Sequence, residues 1–149
     1  LSFSIRQAEE KYLSQIKHEL KLFSEFYNSK HSLYPNEDYL NDGLSEFFKN
    51  HLFLIAVDSE DKVLGLISGL IAPHIYNPSL SVLTESFWWV NPEYRNSRVG
   101  YALLDAFIEH GKKNCDWIIT TLEDESPVKD SVFTERGFSF KEKSFLMEV

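Results

Sequence analysis

Apolar residues recur at helical spacing from residue 7 to about residue 28, where Tyr12, Leu13, Ile16, Leu20, Phe23, Phe26 and Tyr27 stand among charged positions. That pattern predicts a long amphipathic helix with one face on a core. A short strand over 3–5 precedes it. Residues 37–50 restore helical spacing through Tyr39, Leu40, Leu44, Phe47 and Phe48, so a second helix follows a polar connection over 29–35. The period then changes. Residues 52–57 and 63–72 are rich in apolar and β-branched side chains and are separated by Asp58-Ser59-Glu60-Asp61, which predicts a β-hairpin. After a loop over 73–80, residues 81–90 form another expected strand, ending before Pro92. Val99, Ala102, Leu103, Ala106, Phe107 and His110 mark one face of a third helix, and Lys112 and Lys113 oppose the negative end of its dipole. Residues 117–122 predict a buried strand. Ser126-Pro127 predicts the capped start of a short helix ended by Gly137, and alternation over 138–149 predicts one or two final strands.

The order β, α, α, β, β, β, α, β, α, β places hairpin strands beside later interleaved helices. It predicts an α/β chain with a central mixed sheet (α+β in character) flanked by helices, not a uniformly parallel doubly wound sheet. Gly and Pro fall singly between periodic segments, so residues 1–149 read as a single domain. At 149 residues and 43% hydrophobic content, such a chain buries about two-thirds of the surface its unfolded form exposes.

The formal net charge of −8 argues against broad binding to nucleic acid or anionic membranes. No signal peptide or membrane-spanning run is visible. Cys115 is the only cysteine, so no intramolecular disulfide is available and a cytoplasmic setting is the simplest expectation. His18, His31, His51, His74 and His110 are scattered without metal-ligand spacing, so no metal site is expected.

One junction carries a local anion-binding pattern. After the strand ending at Val90, Asn91-Pro92-Glu93-Tyr94-Arg95-Asn96-Ser97 forms a polar loop and a helix starts near Arg98. First-turn amides have no intrahelical acceptors and sit at the positive end of the dipole, so such a turn can hold a phosphate. Arg95 and Arg98 could add charge-assisted hydrogen bonds, and Gly100 would let a bulky anion approach the backbone. The same residues equally describe an ordinary helix start, capped by Asn96 or Ser97, with two solvated arginines.

The run V-x-P-x-Y-R-x-x-R-x-G-x-A-L-L over 90–104 resembles motif A of the GNAT superfamily of N-acetyltransferases, whose usual core is Q/R-x-x-G-x-G/A. Arg95 matches the first position of that core and Gly100 the last. Arg98 stands where the family most often has glycine. Ile5-Arg6-Gln7-Ala8 is similar to the family's opening, Val63-Leu64-Gly65 to the start of its third strand, and Phe133-Thr134-Glu135-Arg136-Gly137-Phe138 to its closing signature. The 87–90 strand and the Arg136-Gly137-Phe138 ending look most like GNAT-type proteins encoded by bacteriophages.

The resemblance implies a GNAT-like fold and an acetyl-CoA-dependent N-acetyltransferase acting by direct attack of a primary amine, on a small molecule or a protein. Carried across by position, Val90 would lie along pantetheine and Arg95, Asn96, Ser97, Arg98, Val99, Gly100 and Tyr101 around the phosphates, mostly through backbone atoms. Ser126 would bond the pantetheine arm; alternatively it is only an N-cap. Glu85 is the candidate general base, or else a solvated strand residue. It stands an odd number of residues before Val90 and needs a bulge to share that residue's face. Phe133 occupies the position where the family has its acidic tyrosine. The thiolate would then leave unassisted, take a proton from water, or be reached by Tyr101 or Tyr76. The alternative is a catalytically weak or inactive acyl-CoA-binding or interaction module of the same fold, and a homodimer is left open. Glu37, Asp38, Asp42 and Glu123-Asp124-Glu125 would favour a cationic acceptor, or are solvated loop charges.

Overall fold

The structure, a computed structural model, describes residues 1–27, 29–34 and 36–149. Asn28, the expected end of the first helix, and Pro35, in the following loop, lie outside the described residues. The chain divides into two compact units, Leu1–Ile119 and Thr120–Val149.

The first unit is built on one five-stranded sheet whose spatial order follows the chain: β1 (Phe3–Gln7), β2 (Leu52–Asp58), β3 (Val63–His74), β4 (Asn77–Val90) and β5 (Trp117–Ile119). β1 to β4 pair antiparallel, and β5 joins β4 in parallel. The expected mixed sheet is therefore present. Helices α1 (Leu13–Phe26), α2 (Glu37–Asn50) and α3 (Val99–Asn114) complete the unit.

α1 begins later than its apolar periodicity predicts. Gln7 pairs with Leu54 and the Ala8 amide donates to Phe53 O at 2.8 Å, so these residues remain tied to the sheet. A 3-10 turn at Glu10–Tyr12 then leads into the helix. α2 has its expected bounds because Asn36 Oδ1 accepts the Tyr39 amide at 2.9 Å, Glu37 and Asp38 occupy the first turn, and Lys49 the last.

The first hairpin turns on Asp58, whose Oδ1 accepts the amides of Glu60 and Lys62, both at 2.9 Å. The predicted loop over 73–80 is instead mostly ladder: β3 runs to His74 and β4 starts at Asn77. Pro73 is accommodated because the register shifts between it and His74, an irregularity of the kind at which proline enters sheets.

The centre of the sheet is covered on both faces. Tyr12, Ile16, Leu20 and Leu44 pack with Phe53, Ile55, Val57, Leu66 and Trp89 on one side. On the other, α3 contributes the fully buried Leu103, Leu104 and Phe107.

The second unit contains α4 (Ser131–Thr134). Gly137, at φ +93°, receives the chain at the helix end as expected. The Phe138 amide donates to Phe133 O and the Gly137 amide to Thr134 O, both at 3.1 Å, while the Phe133 and Phe138 rings meet edge-on at 5.7 Å. This is a Schellman ending with its accompanying hydrophobic contact. The helix does not start at Ser126. Asp130 is its N-cap residue, and Ser126 Oγ accepts the Val128 amide at 3.2 Å within a turn.

The final alternation yields no strand among the described residues 138–149, where Phe140, Phe145, Leu146, Met147 and Val149 are exposed. Side-chain alternation describes which faces could be buried; a ladder also needs an adjacent backbone edge. β5 is likewise shorter than expected, its register with β4 ending at Thr84↔Ile119.

Candidate functional site

The last turn of the sheet sorts the two tryptophans to opposite faces, as their adjacent positions require. Trp88 Nε1 donates to Gly100 O at 3.2 Å, on the α3 side. Trp89 faces α1, with Phe23 edge-on at 5.8 Å and Phe26 at 5.8 Å. Val90 lies on the Trp88 side: a Cβ built on Gly100 would stand 3.4 Å from Val90 Cγ2.

The bulge that Glu85 needs is present. Phe87 pairs with Ser68 while Glu85 pairs with Gly69, leaving Ser86 as the inserted residue on β4. Gly69 faces α3, since a Cβ there would meet the Phe107 ring. Its partner Glu85, half-buried, therefore shares a sheet face with Val90. The parallel ladder to β5 covers only Val82–Thr84, so 85–90 lie beyond its pairing.

From Val90 the chain enters a 3-10 turn, Pro92–Tyr94, whose start is fixed by Asn91 Oδ1 accepting the Glu93 amide at 3.1 Å. Asn96 then takes φ +36°, in the left-handed half of backbone space that asparagine tolerates better than most residues. The Ser97 amide donates back to Arg95 O, and Ser97 Oγ donates to Tyr94 O while accepting the Val99 amide at 3.3 Å. Arg98, the N-cap residue of α3, has φ −82° and ψ −1°. Those are ordinary dihedrals for any L-residue, so an arginine is accommodated where the motif usually has glycine. The Ala102 amide makes the first-turn bond to Arg98 O at 3.0 Å; amides ahead of it point out of the helix end.

The two arginines are not equivalent. Arg95 Nε donates to Val90 O at 3.2 Å, and its guanidinium lies 4.5 Å from the Trp89 ring centroid and 5.3 Å from that of Phe26. Its side chain is thus held on the α1 side. Arg98 is exposed, and its side chain makes no hydrogen bond or ion pair among the described residues.

The sequence patterns left Glu19 out of the site. This α1 residue is 4% exposed, and its carboxylate accepts Trp89 Nε1 at 2.9 Å and Asn91 Nδ2 at 2.8 Å. The signal was legible: Glu19 stands on the stripe formed by Tyr12, Ile16, Phe23 and Phe26, where an apolar residue would be expected. A cavity of about 650 Å³ borders this network at Ser14, His18, Lys62 and Glu93. There the Tyr94 hydroxyl, 2.8 Å from Lys62 Nζ, is the largest cause holding that ammonium above the ordinary lysine pKa.

Other candidates are dispersed. Within the second unit, Ser126 lies in its turn and Phe133 in the Schellman contact. Glu37 pairs with Lys17 at 3.8 Å, and Glu123, Asp124 and Glu125 are exposed. Among the described residues no group of three or more His, Cys, Asp or Glu could hold a metal ion, and no helix is long and apolar enough to cross a membrane.

Comparison with known proteins gives this geometry its context. The Acetyltransferase (GNAT) family matches residues 15–138, a span holding β4, the loop and α3. The chain belongs to the GNAT acetyltransferase family. A comparison with curated protein sequences finds no match. Among solved structures, this GNAT chain is similar to a Trypanosoma brucei acetyltransferase (18% identity, TM-score 0.77, covering 99% of this chain and 100% of that one). Glucosamine-6-phosphate N-acetyltransferase from Arabidopsis thaliana is 17% identical at TM-score 0.72, covering 99% of each chain. AAC(6')-Iy, solved with the bisubstrate analog CoA-S-monomethyl-acetylneamine, is 19% identical at TM-score 0.73, covering 100% of this chain and 99% of that one. These likenesses establish the GNAT fold, and family membership supports acyl transfer as the general chemistry.

Proposed function

We propose that this protein is an N-acetyltransferase that moves the acetyl group of acetyl-CoA to a primary amine by direct attack, with residues 1–149 acting as one catalytic domain in the cytoplasm. The observation that carries the proposal is the junction at 90–101: a GNAT motif followed by a helix whose N-cap residue, Arg98, has an exposed side chain that is unengaged among the described residues. Acetyl-CoA supplies the activated acyl carbon; the reaction forms a C–N bond as the C–S bond breaks.

Each part of the chain has a physical task. The amides of Asn96, Arg98 and Gly100 and the Arg98 guanidinium bind the pyrophosphate through helix-terminal and charge-assisted hydrogen bonds, while Ser97, Val99 and Tyr101 shape the turn around it, the Ser97 and Val99 amides being spent on Arg95 O and Ser97 Oγ. Val90 lines the pantetheine path. Glu85 accepts the proton of the attacking amine directly or through water, so that nitrogen attacks as the neutral nucleophile. A strand amide polarises the thioester oxygen. Phe133 has no proton to give, so water protonates the departing thiolate. Arg95, counted by the motif among the phosphate contacts, instead braces the loop, its amide donating to Pro92 O and its side chain to Val90 O.

Two of the related structures carry names pointing to amine acceptors, glucosamine-6-phosphate and an acetylneamine analog. They support a small-molecule amine here, with a protein amino group as the alternative. The buried Phe133 favours a second reading, an acyl-CoA-binding module with little turnover. Calorimetric titration with acetyl-CoA and CoA, followed by free-thiol release with a panel of amines and peptides, tests both. Absence of CoA binding overturns both; binding without thiol release leaves only the module.

A further inference from the structure

Glu19 is a charged residue in the core cluster that joins α1 to the sheet. Burying a carboxylate is costly unless its hydrogen bonds are made. Here both oxygens are used, yet both donors are neutral: the indole of Trp89 and the amide of Asn91. The arrangement is therefore an orienting clamp, not an ion pair. An apolar residue would fill the same stripe of α1 without directing either donor.

What the clamp orients is specific. Trp89 and Asn91 flank Val90, where β4 gives way to the anion loop. Asn91 is fixed in turn by its amide donating to Leu64 O at 3.0 Å, by its carbonyl accepting the Tyr94 amide at 2.8 Å, and by its side chain accepting the Glu93 amide. The Trp89 ring, held in place by its bond to Glu19, provides a face on which the Arg95 guanidinium rests, and Arg95 Nε ties back to Val90 O. Both ends of the arc from Val90 to Arg95 thus depend on one carboxylate on α1. Asn96, Ser97 and Arg98 follow directly.

We propose that Glu19 is a positioning residue for the phosphate-binding loop, acting through Trp89 and Asn91 to set the path of 90–95 and hence the placement of Arg98 and the α3 amides. The proposal rests on the acyl-CoA site described under Proposed function. Glu19 touches no phosphate itself.

Glu19→Gln tests it with little change in volume. A glutamine offers one acceptor and turns an NH2 toward the other donor. CoA affinity is expected to fall about tenfold, the effect of disturbing one buried hydrogen bond read through the loop. Binding of S-acetylpantetheine, which lacks the pyrophosphate, stays within about twofold. Asn91→Asp alone places two carboxylates together and also weakens CoA. The double variant Glu19→Gln/Asn91→Asp restores a donor–acceptor match and recovers most of the affinity. If the wild-type protein binds no CoA, the acyl-CoA reading fails. If it does bind and Glu19→Gln binds CoA as tightly, or loses both ligands equally, the positioning role is wrong. Unfolding of the single variant, with neither folding nor CoA affinity restored by the double variant, also overturns it.

Discussion

Glu85 stands opposite Gly69 although Phe87 stands opposite Ser68, so the insertion of Ser86 turns Glu85 onto the face it shares with Val90. Without it, strict alternation would put Glu85 with Phe87 and Trp89 on the α1 face. A general base typically contributes about 10²–10⁴-fold. Glu85→Gln is therefore expected to lower kcat/KM for acetyl transfer at least about 100-fold, while the CoA dissociation constant is unchanged. Steady-state rates from pH 5 to 9, with parallel calorimetry, check it; an unchanged profile removes Glu85 from the mechanism.

Arg95 and Arg98 should separate under mutation. Arg98→Ala is expected to weaken CoA at least about tenfold, the value of a charge-assisted hydrogen bond, with an unchanged melting temperature and a shallower dependence on salt. Arg95→Ala removes the contacts to Trp89, Phe26 and Val90 O and should cost about 1 kcal/mol of stability. Denaturant unfolding and CoA titration of both variants test the division.

Gly100 divides stability from binding in another way. A Cβ there stands in ordinary contact, 3.4 Å from Val90 Cγ2 and 3.9 Å from Trp88 Cζ2. Gly100→Ala should keep the fold and gain about 0.5–1 kcal/mol from helix propensity. Gly100→Leu should project into the ligand's approach and abolish CoA binding. Equal CoA affinity in Gly100→Leu and wild type would show that the phosphates lie elsewhere.

Asp61 links pH to stability at the β2–β3 hairpin. The Tyr12 hydroxyl, at 2.8 Å, and then the charge of Lys11 hold its carboxyl below the ordinary carboxylate pKa. A lowered folded pKa gives stability that is present above the unfolded value and is lost as pH falls through the folded one. Thermal melts in acid should show this loss in the wild type, and Asp61→Asn should flatten that part of the curve. At neutral pH the variant should already be less stable, because Tyr12 loses its ionised acceptor.

The candidate site is partly legible in the sequence. The helix-start pattern at 95–101 located the loop, and the parity of Glu85 against Val90 announced the need for a bulge. Other features escaped. The pairing of Arg95 with Trp89 and Phe26 depends on α1 packing across the sheet, which spacing along β4 does not encode. Glu19 visibly breaks the apolar stripe of α1, but what it holds does not show along that helix, because its donors lie on β4 and just beyond it. The expected strands in 138–149 failed for the complementary reason: alternation is local, whereas a ladder requires a neighbour.

The sequence by itself determined the elements governed by short-range physics: the bounds of α2 through Asn36 and the acidic first turn, the hairpin around Asp58, the end of α4 at Gly137 and the motif of the anion loop. Only the tertiary structure decided which arginine packs on Trp89 and which stays exposed, and which carboxylate accepts from Trp89 and Asn91. Those outcomes depend on what stands across the sheet from Trp89. Burial turns a solvated glutamate into an orienting acceptor and a motif arginine into a brace, and burial belongs to the packed chain.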